Sequence, residues 1–144
     1  MSVVEIVIER PRAEVWAHVV DAETYPTWLI GAERVDAPRE WPAPDSTFEH
    51  RIGGGPLRLA GSTTSQGADE PRRLHLRAGM GPLGEFDVRF DLEELGPTRT
   101  RVSMTERASG GPARWVDRVA GPLVDAAVGR RNTVSLRRLR ARLT

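Results

Sequence analysis

The last stretch of the chain, Gly110 to Thr144, admits one long amphipathic helix, and such a helix needs a partner surface for its apolar side. From Gly121 onward, Asp125, Val128, Asn132, Leu136, Leu139 and Leu143 recur at steps of three and four, one face of a 3.6-residue period. Arg130, Arg131, Arg137, Arg138 and Arg140 fall on the opposite face, where water is expected. Gly110, Gly111 and Pro112 punctuate the entry, and Pro122 interrupts the pattern. The spacing predicts a short helical piece over residues 113–120 and then a helix over 121–143, roughly 34 Å long at ~1.5 Å per residue. Its inward stripe is polar at the start (Asp125, Asn132) and leucine-rich at the end.

The rest of the chain must supply the partner. Residues 3–9 alternate as a strand with Val4, Ile6 and Ile8 on one side. Pro11 opens a helix whose buried side is Val15, Trp16, Val19 and Val20, and Asp21–Leu29 reads as a second short helix or turn. Six further strands are expected at Ala32–Ala37, Thr47–Ile52, Leu57–Ser65, Arg73–Gly79, Glu85–Leu95 and Arg99–Ala108. Glycine- and proline-rich breaks separate them, too short for crossover helices, so the sheet is antiparallel. The inward positions are mostly apolar: Phe48, His50 and Ile52; Leu57, Leu59, Gly61 and Thr63; Leu74, Leu76, Ala78 and Met80; Phe86, Val88, Phe90 and Leu92; Val102, Met104 and Glu106. The alternate positions carry Arg73, His75, Arg77, Asp87, Arg89, Asp91 and Arg101. An α+β fold follows, seven strands on one long helix with two short helices between the first and second strands.

Composition narrows the function. The chain has 144 residues, enough for one domain over 1–144, and no cysteine, which removes disulfides and thiolate metal sites. A net charge of +1 with acids and bases interspersed gives no field for nucleic acid, and the arginines of the terminal helix read as a solvated face. His18, His50 and His75 lack ligand spacing, so no metal is expected. Gly79–Gly84 spells GxGxxG, but a strand follows it where a nucleotide site needs a helix. Gly53-Gly54-Gly55-Pro56 lacks the lysine of a phosphate loop. Val3–Ile8 is short and broken by Glu5, so neither a signal peptide nor a membrane span is expected, and a cytoplasmic protein, monomer or homodimer, is the reading.

Four inward polar residues stand out: His50, Glu106, Asp125 and Asn132. A dry core rarely collects two acids, an imidazole and an amide, because each costs several kcal/mol unless paired or wet. The pattern points to a cavity under the helix. His50 would move protons near neutral pH, Glu106 or Asp125 would act as acid or base, and Asn132 would hold a carbonyl or enolate oxygen. Tyr25 and Trp28 are placed at the entrance, with Phe48, Leu59, Leu76, Met80, Phe86, Phe90, Met104 and Val128 as walls.

The segments ERPRAEVWAHVVDAETYPTW, WPAPDSTFEHRIGGGPL, TRVSMTE and GPLVDAAVGRRNTVSLRRL, in this order, resemble the START-like (SRPBCC) superfamily, and within it bacterial polyketide cyclase/dehydrase-type members. The resemblance covers essentially the whole chain. It implies a helix-grip fold, a curved seven-stranded antiparallel sheet wrapped around the terminal helix. It also implies a cavity for a small hydrophobic molecule, lipid- or polyketide-like, and no cofactor. The alternative it implies is a polyketide aromatase/cyclase or dehydratase. Cyclases of this kind use arginine, tyrosine and histidine in the cavity, and here no strand arginine falls on an inward position.

Overall fold

The computed structural model describes the chain apart from residues 31, 33, 34, 55, 56, 80, 81 and 83, and apart from the side chains of 51–54, 57–59 and 117. Strand β1 (Ser2–Ile8) leads into α1 (Arg12–Val20), capped by Pro11, then a single 3-10 turn (Ala22–Thr24) and the helical turn α2 (Tyr25–Trp28). Five strands follow: β2 (Thr47–Gly54), β3 (Leu57–Asp69), β4 (Arg73–Gly79), β5 (Glu85–Gly96) and β6 (Arg99–Gly110). Helix α3 (Gly111–Leu143) closes the chain. The strands form one open antiparallel sheet in the order β1-β6-β5-β4-β3-β2.

Alternation decides the two faces. Leu74, Leu76, Val88, Phe90, Leu92, Val102 and Met104 are buried on the inner face beneath α1, α2 and α3. On the outer face the register sets opposite charges side by side: Arg73 donates to Asp91 at 2.7 Å and Arg101 to Glu93 at 2.9 Å, and Arg89, two residues along β5, also donates to Asp91 at 2.8 Å. Such exposed pairs contribute at most about 1 kcal/mol each, so their main work is to penalise a one-residue slip, which would bury them. Gly61 is required where β3 and β4 come closest, since a Cβ there would stand 2.1 Å from the Gly79 carbonyl oxygen.

Two expectations are corrected. The sheet has six strands among the described residues, because Ala32 and Val35–Ala37 form no strand; Glu33 and Arg34 lie outside the described residues. Just ahead of that segment the Ile30 N–H donates to Ser135 Oγ on α3 at 3.0 Å, and within it Val35 turns inward at 5% exposure. Second, β3 runs on to Asp69 through a bulge between Ser65 and Gly67, so Gly67 (φ 137°), expected to end the strand, is a bulge glycine. The expected break in α3 is present, two helical stretches meeting at a kink. Ala120 leaves helical geometry (φ −128°, ψ 28°) just ahead of Pro122, whose ring clashes with the preceding turn and which has no N–H to donate.

Candidate functional site

The inner face of the sheet and the middle of α3 do not meet along their whole length. Between them lies a cavity of about 130 Å³. Leu76, Ala78, Phe86, Val88 and Phe90 form its floor, from β4 and β5. Tyr25, Leu29, Ala32 and Val35 form the wall beside α2, and Phe48, His50 and Thr63 the wall on β2 and β3. Met104 and Glu106 reach it from β6, and Arg131, Asn132 and Ser135 from α3. These walls are mostly carbon, so an apolar guest fits.

The polar groups on the helix side form one network. Glu106, 8% exposed, accepts from Arg131 Nη2 and from Asn132 Nδ2 at 3.3 Å, while Arg131 Nε donates to Asn132 Oδ1 at 3.3 Å. A carboxylate this buried is tolerable only because a guanidinium and an amide meet it. The side chain of Arg131 is 38% exposed, so the network runs from the buried Asn132 out to solvent and marks a mouth. Arg131 Nη1 has no partner among the described residues and is free to donate to a guest.

His50 faces this network from β2. Both ring nitrogens are shielded from solvent and make no hydrogen bond of normal geometry among the described residues. Burial pushes its pKa below the usual 6.5, an effect the Ser62 backbone only partly offsets. The unfolded chain therefore takes up this proton at a higher pH than the folded one, and stability present above pH 6.5 declines as the pH falls through that value. Unfolding free energy by urea is expected to drop from pH 7.5 to 5.5 more in the wild type than in His50→Gln. Equal pH dependence in the two proteins would contradict this placement.

The expected site residues separate into groups. Tyr25, Phe48, His50, Leu76, Phe86, Phe90, Met104, Glu106 and Asn132 all line the cavity. Tyr25 is no entrance residue: it is 3% exposed, its hydroxyl donates to the Val19 carbonyl at 2.7 Å, and burial raises its pKa. Trp28 is fully buried outside the cavity wall, packed edge-on against Tyr25 and Phe90 with Nε1 bonded to Thr24 Oγ1. Asp125 is not in the cavity. Its carboxylate holds the Met1 amino group, both oxygens at 2.8 Å, because this level of α3 passes over the end of β1. Val128, half-buried, also lies outside the wall. The side chain of Leu59 and all of Met80 lie outside the described residues.

The sequence reading put Arg131 on the wrong face and passed over Ser135. The signal was present, since Arg131, Ser135 and Leu139 stand four apart, and Leu139 is in the core. A helix lying on a sheet buries an arc wider than a single row, and Arg131 sits at its edge.

Fold and site together define a helix-grip protein, a sheet closed over a long helix around a guest-sized cavity. The chain belongs to the polyketide cyclase/dehydrase and lipid transport family, whose model matches residues 2–144. A search of curated proteins finds no match in sequence. Among solved structures it is similar to the di-domain aromatase/cyclase BexL of the BE-7585A biosynthetic pathway, with 15% identity over 97% of this chain and a TM-score of 0.74. This chain spans only 45% of that protein's length. It is also similar to the Zhui aromatase/cyclase from Streptomyces sp. R1128 (16% identity, 97% and 90% of the two chains, TM-score 0.72). A hypothetical protein from Helicobacter pylori matches at 17% identity over 97% and 85% of the chains, with a TM-score of 0.75. At these identities the likeness concerns the fold. Among the described residues no helix is long and apolar enough to cross a membrane, and no acidic or histidine cluster is placed to hold a metal.

Proposed function

We propose that the protein binds a small, mostly apolar molecule of about one substituted aromatic ring, with a carbonyl or similar oxygen directed at Arg131. The observation that carries this is the pairing of a carbon-lined space of about 130 Å³ with one unpartnered guanidinium nitrogen at its edge. An apolar cavity of ~150 Å³ accommodates benzene, so fused tetracycles and long acyl chains are too large unless the walls move. A hydrogen bond from a charged donor contributes about 1.5–3 kcal/mol, roughly tenfold or more in affinity. Acetophenone is therefore expected to bind at least about tenfold more tightly than ethylbenzene, which matches its shape without the oxygen. Calorimetric titration measures both, and Arg131→Met is expected to erase the difference. Equal affinity of the wild type for the two compounds would remove the oxygen-reading role.

A second reading, a cofactor-free cyclase or dehydratase, is favoured by one observation: an unpartnered imidazole and a donor for a developing oxyanion share the cavity. In it, neutral His50 takes the proton from a carbon beside a carbonyl, and Arg131 with Asn132 stabilises the enolate oxygen. Glu106, engaged by both, positions them and is not the free acid. The two readings separate on His50→Ala. Catalysis requires turnover of a β-ketoaryl substrate to fall by about 10²-fold or more while affinity changes a few-fold, whereas binding alone shows no wild-type turnover.

A further inference from the structure

The first half of α3 has an outer face that none of the described residues covers. Trp115 is 65%, Val116 40%, Val119 68% and Leu123 76% exposed. At ~100° per residue Trp115, Val116 and Val119 occupy about 100° of arc, and Leu123 follows four residues on, beyond the kink at Ala120. Together they leave roughly 400 Å² of apolar surface bare, the size at which a patch on a monomer is often functional. Arg114 and Arg118 run along one side of the stripe and Arg130 stands at its far end, all exposed and without an ion pair among the described residues.

We propose that this face docks reversibly on an anionic phospholipid bilayer. Tryptophan and aliphatic side chains beside arginines match the boundary between acyl chains and phosphates, and each arginine near an anionic surface contributes about 1 kcal/mol. A second copy of the chain fits less well. About a two-fold axis through the stripe the same arginines confront each other, and roughly 400 Å² is half of the ~800 Å² that each partner gives to a standard interface. The helix that carries the stripe also carries Arg131 at the cavity mouth, so one element joins the bilayer to the site where an apolar guest enters or leaves. The proposal does not depend on which molecule the cavity takes.

Sedimentation with vesicles tests it. The full chain is expected to bind vesicles of equimolar phosphatidylcholine and phosphatidylglycerol at least about tenfold better than phosphatidylcholine alone, with added salt reducing the difference. Val119→Asp with Leu123→Asp is expected to lower that binding by about tenfold or more at unchanged circular dichroism, since both side chains are solvent-exposed. Arg114→Glu with Arg118→Glu is expected to remove the preference for the anionic mixture. Equal partition into both vesicles, or full binding by the aspartate variant, overturns the proposal. So does a concentration-dependent dimer that the aspartate variant dissolves while the wild type ignores vesicles; that result assigns the face to a second copy.

Discussion

Arg131→Met is expected to destabilise the fold by about 2–3 kcal/mol, less than the 3–5 kcal/mol seen when a fully buried pair is broken, because the arginine side chain is 38% exposed. The cost comes from what remains. Glu106, 8% exposed, keeps only the long Asn132 contact, so its buried carboxylate is left poorly compensated. Adding Glu106→Gln removes that charge, and the double variant is expected to recover most of the lost stability, since glutamine and methionine nearly preserve volume. A double-mutant cycle by urea unfolding measures this directly. Losses that simply add would mean that the pair does not couple in solution. The cycle also bears on the proposed function, since the double variant keeps the other lining residues but lacks the Arg131 donor.

Phe90→Ala is the second large effect. Phe90 is fully buried, meets Trp28 at 5.8 Å between ring centres, and forms part of the cavity floor. Removing its ring is expected to cost about 3–5 kcal/mol. The lost volume joins the existing space, so preference should shift from one-ring to two-ring ketones. A fitting bicyclic ketone at 100 times its Kd is expected to restore about 2.7 kcal/mol, which a thermal melt reads as a raised Tm. If the alanine variant does not fold alone, Phe90→Leu makes the smaller change in the same direction. No rescue in either variant would place Phe90 in packing only.

Much of this was legible in the chain because strand alternation is strict. Leu74, Leu76, Val88, Phe90, Val102 and Met104 all take the inner face, and Asp87, Arg89 and Asp91 the outer. His50, Glu106 and Asn132 were readable for the same reason: each is a polar residue at an apolar phase. Helix phase is less forgiving. The kink at Ala120 and the curvature of the sheet determine which rows of α3 meet the cavity, so Asp125 went to the end of β1 and Arg131 turned inward. Pro122 marks the break in the sequence, but the phase of the rows on a curved sheet is not visible in a periodicity counted along a straight cylinder. The segment around Val35 reads as a strand because short apolar runs are ambiguous; Val35 instead packs into the core without joining the sheet, and that packing is tertiary.

A one-ring guest seated under α3 beside Arg131 would lie against Met104. Met104, on the cavity wall, carries a methyl group that can be labelled with ¹³C and assigned by Met104→Leu. On titration with acetophenone the account predicts a saturable shift of that methyl signal with nuclear Overhauser contacts to the aromatic protons of the guest. A Met104 signal that stays fixed while the compound binds elsewhere, or does not bind, would contradict it.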